Sequence, residues 1–434
     1  MRRFFAILMT SLLGLSLTAC GHSSNSTTRE STQSAEASSR AEKTQDTGDL
    51  KVGFLFPGDA SGPDTISRTE GIEKMQYATN LPDSQVEIKT GVKLDNLEKN
   101  VDKMVSDGCN LIFSTNSAFE DQIIQEAAKN KDVEFCQEGG IKTGASKNYH
   151  TYYTKIYEGY YVAGVVAGLQ MNHELDVGNM KLDKTTVGFV AQKESPENTS
   201  CFTAFELGLR RVTSQASTMV VRYVGTKGVY DDDAKATNQL VARDDIGLIG
   251  AKTSTSAPAV ICAENDTLFV GNDANMIASA PKNAVTSAAS NWDVYYKLAV
   301  QAMVDGKKIP QDWSGGYEDG AVTVTKLNDT YLPEDTVDEV NAVESELRKG
   351  KLKVFNTDKI TVDDTPLTQL VKTNAKYKKY KAYIKNGEFQ ESEAKSAPAF
   401  DIMMDGISVD KEDHKTKDSE KSTAEDEKTE DSSN

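Results

Sequence analysis

Short apolar segments alternate with segments whose apolar residues recur at helical spacing, from residue 50 to residue 272. Residues 94–106 illustrate the helical spacing, because Leu97, Val101 and Met104 fall on one face of a helix. The predicted strands are residues 50–56, 85–90, 110–115, 133–137, 185–191, 218–224, 246–250 and 268–272. The predicted helices are residues 69–78, 94–106, 118–130, 202–212, 233–243 and 258–265. Strands that alternate with helices across short turns predict a parallel, doubly wound α/β sheet.

The alternation restarts at residue 185, which predicts a second sheet and therefore a second lobe. Open α/β sheets bind ligands at the carboxyl ends of their strands. Two such edges that face each other would form a ligand cleft, and lobes joined by a hinge could close on a small molecule. The predicted lobes are residues 49–155 and 156–285, and residues 286–409 supply hinge crossings and C-terminal elements that complete both lobes.

Residues 1–20 have the pattern of a bacterial export signal. Arg2 and Arg3 precede an apolar run at 4–17, which is too short to span a bilayer. The run ends in Leu-Thr-Ala-Cys, which resembles the lipobox of bacterial lipoproteins. Cys20 is therefore expected to carry a lipid that anchors the chain to the extracytoplasmic face of the cell membrane. An ordinary secretory signal with an incidental cysteine is the alternative.

Polar segments flank the alternating region. Residues 21–48 contain no aromatic and no branched aliphatic residue, which predicts a disordered tether. Residues 410–434 are almost entirely acidic, basic or hydroxyl-bearing, which predicts a disordered acidic tail.

Composition narrows the classes of function. The formal net charge of −17 repels nucleic-acid phosphate, so no nucleic-acid partner is expected. The cysteines after Cys20 have no Cys-x-x-Cys spacing, which argues against a metal cluster and favours buried free thiols. The sequence does not decide whether Cys201 and Cys262 form a disulfide bond. The chain has four histidines and no motif of a metalloprotease, a serine hydrolase or a phosphate-binding loop. We therefore expect a binding protein with no cofactor and no catalytic residues, rather than an enzyme.

The segment Tyr-Glu-Gly-Tyr-Tyr-Val-Ala-Gly at residues 157–164 resembles the basic membrane protein family of ABC-transporter substrate-binding lipoproteins, which includes purine nucleoside receptors. Further matching segments follow in the same order: 187–190, 196–197, 204–208, 230–235, 271–273, 280–282, 286–287, 291–292, 313–316 and 319–320. Residues 396–401 and 405–407 resemble the ending of a Gram-positive branch.

The resemblance implies a type I periplasmic-binding-protein fold in which the chain crosses between the lobes three times. It also implies capture of a small solute, most simply a purine nucleoside or nucleobase, and delivery to an ABC permease and its ATPase. A receptor for another polar metabolite, such as an amino acid or a sugar derivative, is an alternative. A lipid-anchored sensor or adhesin on the same fold is another.

Several residues are candidates for contact with a flat ligand that carries a ribose. Asp273 matches the ribose-binding aspartate of the family, although it could instead cap a turn. Phe119 could stack on a base or pack in the core. Tyr230 falls where the family has an aromatic residue, and Trp292 lies at a crossing, where hinge packing is the alternative. Polar candidates also lie in loops at strand ends: Asn116, Ser254 and Asn272.

The chain departs from the family pattern in two places. The loop at residues 58–69 lacks the usual aromatic residue and has Asp64 and Arg68 near that point. Ser290 stands where purine nucleoside receptors often have a lysine. These departures favour a cleft that accepts a more polar or zwitterionic ligand.

We expect labelled palmitate to be incorporated into the parental protein and to be absent from a Cys20→Ala variant, because the thiol of Cys20 is the predicted acceptor of the lipid. The measurement is metabolic labelling followed by electrophoresis of the purified protein. Label that persists in the variant would contradict the prediction.

Overall fold

The computed structural model describes residues 47–411, except for 59, 61, 214–216, 226 and 394. The predicted signal, the lipidation site Cys20, most of the tether and residues 412–434 of the tail therefore lie outside the described residues. Within the described part, no helix combines the length and apolar character that crossing a membrane requires.

The elements below are given in chain order. The strands are β1 (Val52–Leu55), β2 (Val86–Lys89), β3 (Leu111–Ser114), β4 (Glu134–Glu138), β5 (Tyr149–Thr154), β6 (Thr186–Ala191), β7 (Met219–Tyr223), β8 (Ile246–Lys252), β9 (Leu268–Asn272), β10 (Ala284–Ser290), β11 (Asp312–Gly315), β12 (Val322–Val324), β13 (Thr361–Val362), β14 (Thr365–Pro366), β15 (Ile384–Lys385), β16 (Glu388–Phe389) and β17 (Ile407–Val409). The helices are α1 (Pro63–Thr79), α2 (Leu97–Ser106), α3 (Glu120–Lys129), α4 (Ile156–Asp176), α5 (Pro196–Val212), α6 (Tyr230–Val241), α7 (Ala257–Glu264), α8 (Asp293–Val304), α9 (Thr336–Arg348) and α10 (Leu367–Thr373).

The first lobe is built on a parallel sheet with strand order β11-β5-β4-β3-β1-β2. Successive residues of β1 point to opposite faces of the sheet. Phe54 packs with Ile72 of α1 and Tyr296 of α8, whereas Leu55 packs with helix α2 through Leu97. Helices thus cover both faces, which is why the central strands are continuous apolar runs instead of alternating ones.

The second lobe is built on a sheet with strand order β12-β10-β9-β8-β6-β7-β17, in which only β12 is antiparallel to its neighbour. Helix α4 is buried over most of its surface because it lies between this sheet and helices α5 and α9. The segment from α9 to β17 packs on the same lobe, where the rings of Phe355 and Phe400 stack 4.4 Å apart. The two-lobed α/β architecture predicted from the sequence is therefore confirmed.

The chain crosses between the two sheets three times: from β5 to α4, from β10 to α8, and from β11 to β12. Three hydrogen bonds join these crossings: between the hydroxyls of Thr154 and Ser290 (2.7 Å), from the N–H of Lys155 to the carbonyl of Gly315 (2.8 Å), and from the N–H of Asn291 to the carbonyl of Ala321 (2.8 Å). The crossings therefore behave as one hinge, with the number of crossings that the resemblance implied.

The structure corrects several element predictions. Helix α1 begins at Pro63 instead of residue 69, and a proline in the first turn of a helix is a recognised start signal. Strands β5 and β10 were not predicted from periodicity. Both are buried along their whole length, so neither alternates, and β10 consists of small residues that resemble a loop in composition. The cysteines at 109, 136, 201 and 262 are free and buried, so Cys201 and Cys262 do not form a bridge.

Helices α4 and α5 approach each other so closely that their backbones touch. A Cβ atom on Gly208 would lie 2.0 Å from the carbonyl oxygen of Tyr161, and one on Gly164 would lie 2.1 Å from that of Phe205. Backbone atoms on the facing helix cannot rotate away as a side chain would. Glycine is therefore required at both positions for this helix pair to pack.

A Gly208→Ala substitution is expected to lower the free energy of unfolding by about 3 kcal/mol or more, because the added methyl group forces the helices apart. Urea denaturation of the purified variant measures the loss. Lys297→Ala, at an exposed position of α8, is the control and should stay within about 0.5 kcal/mol of the parental protein. Equal stability of the two variants would contradict the close-packing argument.

Candidate ligand-binding cleft

A cleft of about 660 Å³ lies between the carboxyl ends of the strands of the two sheets. In the first lobe it is lined by residues that end or follow β1, β3, β4 and β5, and in the second by residues that end or follow β6, β8, β9 and β10. This is the edge at which parallel sheets bind ligands, and the volume lies in the range of small-molecule sites. The geometry therefore identifies this cleft as the candidate site.

Arg68, in the second turn of α1, is the central cation of the first lobe and is only 5% exposed. Its Nη2 donates to both carboxylate oxygens of Glu138, at 2.9 and 3.0 Å, and its Nη1 donates to the backbone carbonyl of Asp64 at 3.3 Å and forms an ion pair with the Asp64 carboxylate. The guanidinium carbon lies 4.4 Å from the centre of the Trp292 ring. Both edges and one face of the guanidinium group are therefore engaged within the protein.

Burial and ion pairing shift the pKa values of Arg68 and Glu138 in opposite directions. Burial alone would lower the pKa of Arg68, but the charges of Glu138 and of further groups, Asp273 among them, together outweigh it, so the pKa lies above its usual value. Burial raises the pKa of Glu138, and the charge of Arg68 limits that rise. A buried ion pair held by a two-pronged contact keeps its geometry better than a surface pair does, because few rotamers satisfy both bonds.

Lys252 is the corresponding cation of the second lobe, at the last residue of β8. Its Nζ lies 3.0 Å from the carboxylate of Glu197, in the first turn of α5. Burial lowers the pKa of Lys252, but the charges of Glu197 and of further groups, Asp273 among them, together outweigh this effect, and the pKa lies well above its usual value. Burial likewise opposes the ionised form of Glu197, yet Lys252 holds its pKa below the usual value.

Asp273 follows β9 in the left-handed region of the backbone, with φ of 58°. Aspartate tolerates this conformation better than most residues because its side chain is short and polar. The Nδ2 of Asn272 donates to its carboxylate at 3.0 Å. The charge of Asp273 also contributes to the raised pKa values of both Arg68 and Lys252, so it acts on the cations of both lobes.

Charges of the two signs are equal in number around the cleft, as far as the described residues show. The acidic side chains that line it are Asp64, Glu138, Glu197 and Asp273, and the basic ones are Arg68, Lys193, Lys227 and Lys252. With four charges of each sign, the formal sum at neutral pH is zero. Such a site is better matched to an uncharged or zwitterionic ligand than to a polyanion, although the whole chain is strongly acidic.

The structure brings most of the predicted site residues to the cleft: Asp64, Arg68, Asn116, Tyr230, Ser254, Asn272, Asp273 and Trp292. Phe119 is the exception, and the stacking interpretation for it was wrong. Its side chain is 2% exposed and packs in the first-lobe core with Ile123 and Tyr149, because the short turn that contains it points the ring inward. Core packing, the alternative considered from the sequence, is what the structure shows.

Asn272 and Trp292 lie at the cleft and contact other residues that line it. The side-chain amide of Asn272 accepts from the N–H of Thr253 at 3.2 Å and donates to its carbonyl at 3.1 Å, which ties β8 to β9 and places Asp273. Trp292 is 4% exposed and packs between Arg68 and Tyr296, and it also forms part of the cleft wall.

The polar candidates in the loops also have partners. The hydroxyl of Ser254 accepts from Nε2 of Gln192 at 2.5 Å. The side chain of Asn116 accepts from the N–H of Ala118 at 3.0 Å and so begins the turn after β3. Tyr230 differs, because it is 44% exposed and its ring is available at the cleft.

Five charged residues at the cleft were not predicted from the sequence: Glu138, Lys193, Glu197, Lys227 and Lys252. Glu138 and Lys252 are the last residues of β4 and β8, so the strand-end rule could have identified them. Glu197 is in the first turn of α5 directly after Pro196, where acidic residues are common for reasons of helix electrostatics alone. Glu197 lies near Lys252 because β6, which precedes α5, pairs with β8 in the sheet.

Comparison with known protein sequences identifies a family and two relatives. A family model described as "ABC transporter substrate-binding protein PnrA-like" matches residues 50–358. A purine-binding protein of Brucella abortus (strain 2308) is 24% identical over 310 residues, which cover 70% of this chain and 83% of that protein. A putative ABC transporter glucose-binding protein of Haloferax volcanii is 25% identical over 247 residues, 56% of this chain and 59% of that protein.

A solved structure is similar in fold. The ABC transporter solute-binding protein from Aeropyrum pernix K1 superposes with a TM-score of 0.59 at 13% sequence identity, covering 74% of this chain and 97% of that one. At this identity the similarity concerns the fold alone.

An Arg68→Met substitution is expected to lower the free energy of unfolding by about 3–5 kcal/mol, because it leaves the buried Glu138 carboxylate without its counter-charge. The double variant Arg68→Met with Glu138→Gln should recover a large part of that loss. Urea denaturation at pH 7 measures both.

Lys142→Met is the control, because Lys142 pairs with Asp121 where both side chains are exposed, at 49% and 74%, so its loss of stability should be small beside that of Arg68→Met. If Arg68→Met and the double variant lose the same free energy of unfolding, the loss does not come from a Glu138 carboxylate left without its counter-charge.

Proposed function

Because the chain belongs to the PnrA-like family of ABC transporter substrate-binding proteins, we propose that it captures a purine nucleoside or nucleobase and delivers it to an ABC permease. A lipid on Cys20 would hold it at the extracytoplasmic face of the membrane, which in a Gram-positive cell is the cell surface. The tether before the first lobe would let the receptor reach both free solute and the permease. The permease and its ATPase are the partner that would accept the solute.

The observation that carries the choice of ligand is the position of Asp273. Its carboxylate lies at the carboxyl end of β9, at the cleft, and is held by Asn272. A carboxylate accepts hydrogen bonds from two adjacent ribose hydroxyls at once, and charge-assisted bonds of this kind are about twice as strong as neutral ones. A ribose therefore suits this position, and a nucleoside provides one.

Two further features support an uncharged nucleoside. The equal numbers of acidic and basic side chains around the cleft favour a neutral ligand over a nucleotide, because the lining has no net positive charge to offset the charge of a phosphate. The half-exposed ring of Tyr230 offers an aromatic face for a base. The purine-binding relative from Brucella abortus agrees with this choice.

A second candidate is a receptor for another polar metabolite. The ion pairs of Arg68 and Lys252 with carboxylates place both signs of charge in the cleft, which would suit the ammonium and carboxylate groups of an amino acid. The Haloferax volcanii relative, named as a putative glucose-binding protein, makes a sugar worth testing as well.

A thermal-shift screen separates these candidates. Adenosine, inosine, guanosine, adenine, adenosine monophosphate, glucose and a set of amino acids are added singly to the purified protein. A ligand at about 100 times its Kd stabilises the folded state by about 2.7 kcal/mol, which shifts the melting temperature measurably. We expect a nucleoside to give the largest shift. If no nucleoside or base shifts the melting temperature while glucose or an amino acid does, the purine proposal is wrong.

The role of Asp273 is tested by titration calorimetry of an Asp273→Asn variant. Its affinity for the nucleoside found in the screen should fall about tenfold or more, because a charge-assisted bond to the ribose is lost. Affinity for the free base should stay the same, since the base has no ribose. Asp266→Asn is the matched control, because Asp266 also has a left-handed backbone, with φ of 49°, but does not line the cleft.

A further inference from the structure

The C-terminal segment leaves the second lobe and returns to it. On one side, Phe389 packs in the second-lobe core with its ring 5.1 Å from that of Phe400. On the other side, Ile402 and Met404 are buried in the same core, and β17 pairs with β7. The connecting residues 390–393 and 395–401, called the strap below, are thus fixed to the second lobe at both ends.

Between these ends the strap bonds to the first lobe. The Nζ of Lys395 donates to the carbonyl of Ile141, in the loop after β4, at 3.0 Å. The backbone N–H of Ser396 donates to Oδ1 of Asp312 at 3.1 Å, and its hydroxyl donates to the same oxygen. Ser396 is 1% exposed, so water does not compete freely for these bonds.

The strap also contacts the hinge and the cleft. The carboxylate of Glu393 lies 2.5 Å from Nζ of Lys155, on the first crossing, where the lysine side chain is only 6% exposed. Pro398 is part of the cleft wall. One short segment therefore contacts the first lobe, the hinge and the ligand site.

The attachment at Asp312 lies away from the hinge. Asp312 begins β11, whereas Gly315 at the other end of the strand meets the crossings. Three residues of strand place the attachment roughly 10 Å from the hinge, at about 3.3 Å per residue. A rotation of the lobes by about 20° would displace that point by about 3 Å, which is more than a hydrogen bond tolerates.

We infer that the strap is a non-covalent fourth connection between the lobes that restrains their opening. The lobes cannot separate widely without breaking the bonds of Lys395 and Ser396 to the first lobe. In the ligand-free protein the strap therefore raises the population of the closed, binding-competent arrangement, and the apparent affinity for ligand rises with that population. The strap lies beyond residue 358, where the family match ends.

The test compares two variants that loosen the same segment on different sides. Glu393→Gln with Lys395→Ala and Ser396→Ala removes the side-chain bonds to the hinge and the first lobe. Lys379→Ala with Tyr380→Phe removes the contacts of Asp401, including the 2.5 Å bond from the Tyr380 hydroxyl, which lie wholly within the second lobe.

Spin labels report the distance between the lobes by double electron–electron resonance. The labelled positions are Glu70→Cys on α1 and Lys235→Cys on α6, both exposed, in the full chain with Cys20→Ser. The remaining cysteines are buried and should not react. The measurement is made without ligand, so its outcome does not depend on the purine proposal.

We expect the first variant to shift the distance distribution to longer values and to broaden it, and the second to keep the parental distribution. If adenosine binds, its Kd should rise at least about fivefold in the first variant, a typical size for a conformational coupling. A parental distribution in a folded first variant, or equal broadening in both variants, would overturn the inference. If the triple variant does not fold, Lys395→Ala with Ser396→Ala alone carries the test, with the same expected shift.

Discussion

The hydrogen bonding of the three crossings to one another is the constraint on which the rest of the molecule depends. The chain builds its first sheet from β1 to β5, leaves it, and returns through α8 and β11 only after the second sheet is nearly complete. Neither lobe can therefore finish its core without the crossings. Because Thr154, Ser290 and the backbone on either side of them are bonded together, the two strand edges are held facing each other.

The bonded geometry of this hinge extends into the helix that follows the first crossing. The buried carboxylate of Glu158, in the first turn of α4, accepts the N–H of Tyr317 at 2.7 Å, and burial raises its pKa to about 7. A Cβ atom on Gly316 would lie 2.4 Å from that carboxylate, so glycine is needed there for the contact to form. The Glu-Gly and Gly-Gly segments that looked separate in the sequence thus meet at one place and fix α4 to the third crossing.

The cleft shows how a strongly acidic chain forms a nearly neutral site. Arg68 and Lys252 come from different lobes, and each of these largely buried cations is paired with a carboxylate that supplies its counter-charge. Such pairing adds little net stability compared with apolar packing, but it fixes the direction of each group. Asp273 acts on both cations, so the electrostatics of the site depend on how closely the lobes approach. Restraint of the lobes and selection of the ligand are therefore linked.

The alternation of apolar runs and helical stripes determined the α/β class and the two lobes, because each periodicity reflects local burial that any such fold must satisfy. It also located Asp273, Asn116 and Ser254, because strand ends can be read from the same pattern. It could not show that Phe119 turns into the core, or that β5 and β10 are strands, since full burial removes alternation. Only the tertiary structure decided the pairing of Arg68 with Glu138 and of Lys252 with Glu197. The same holds for the hydrogen bonds from Ser396 to Asp312. These partners are far apart along the chain, and the sheets alone bring them within a hydrogen bond of each other.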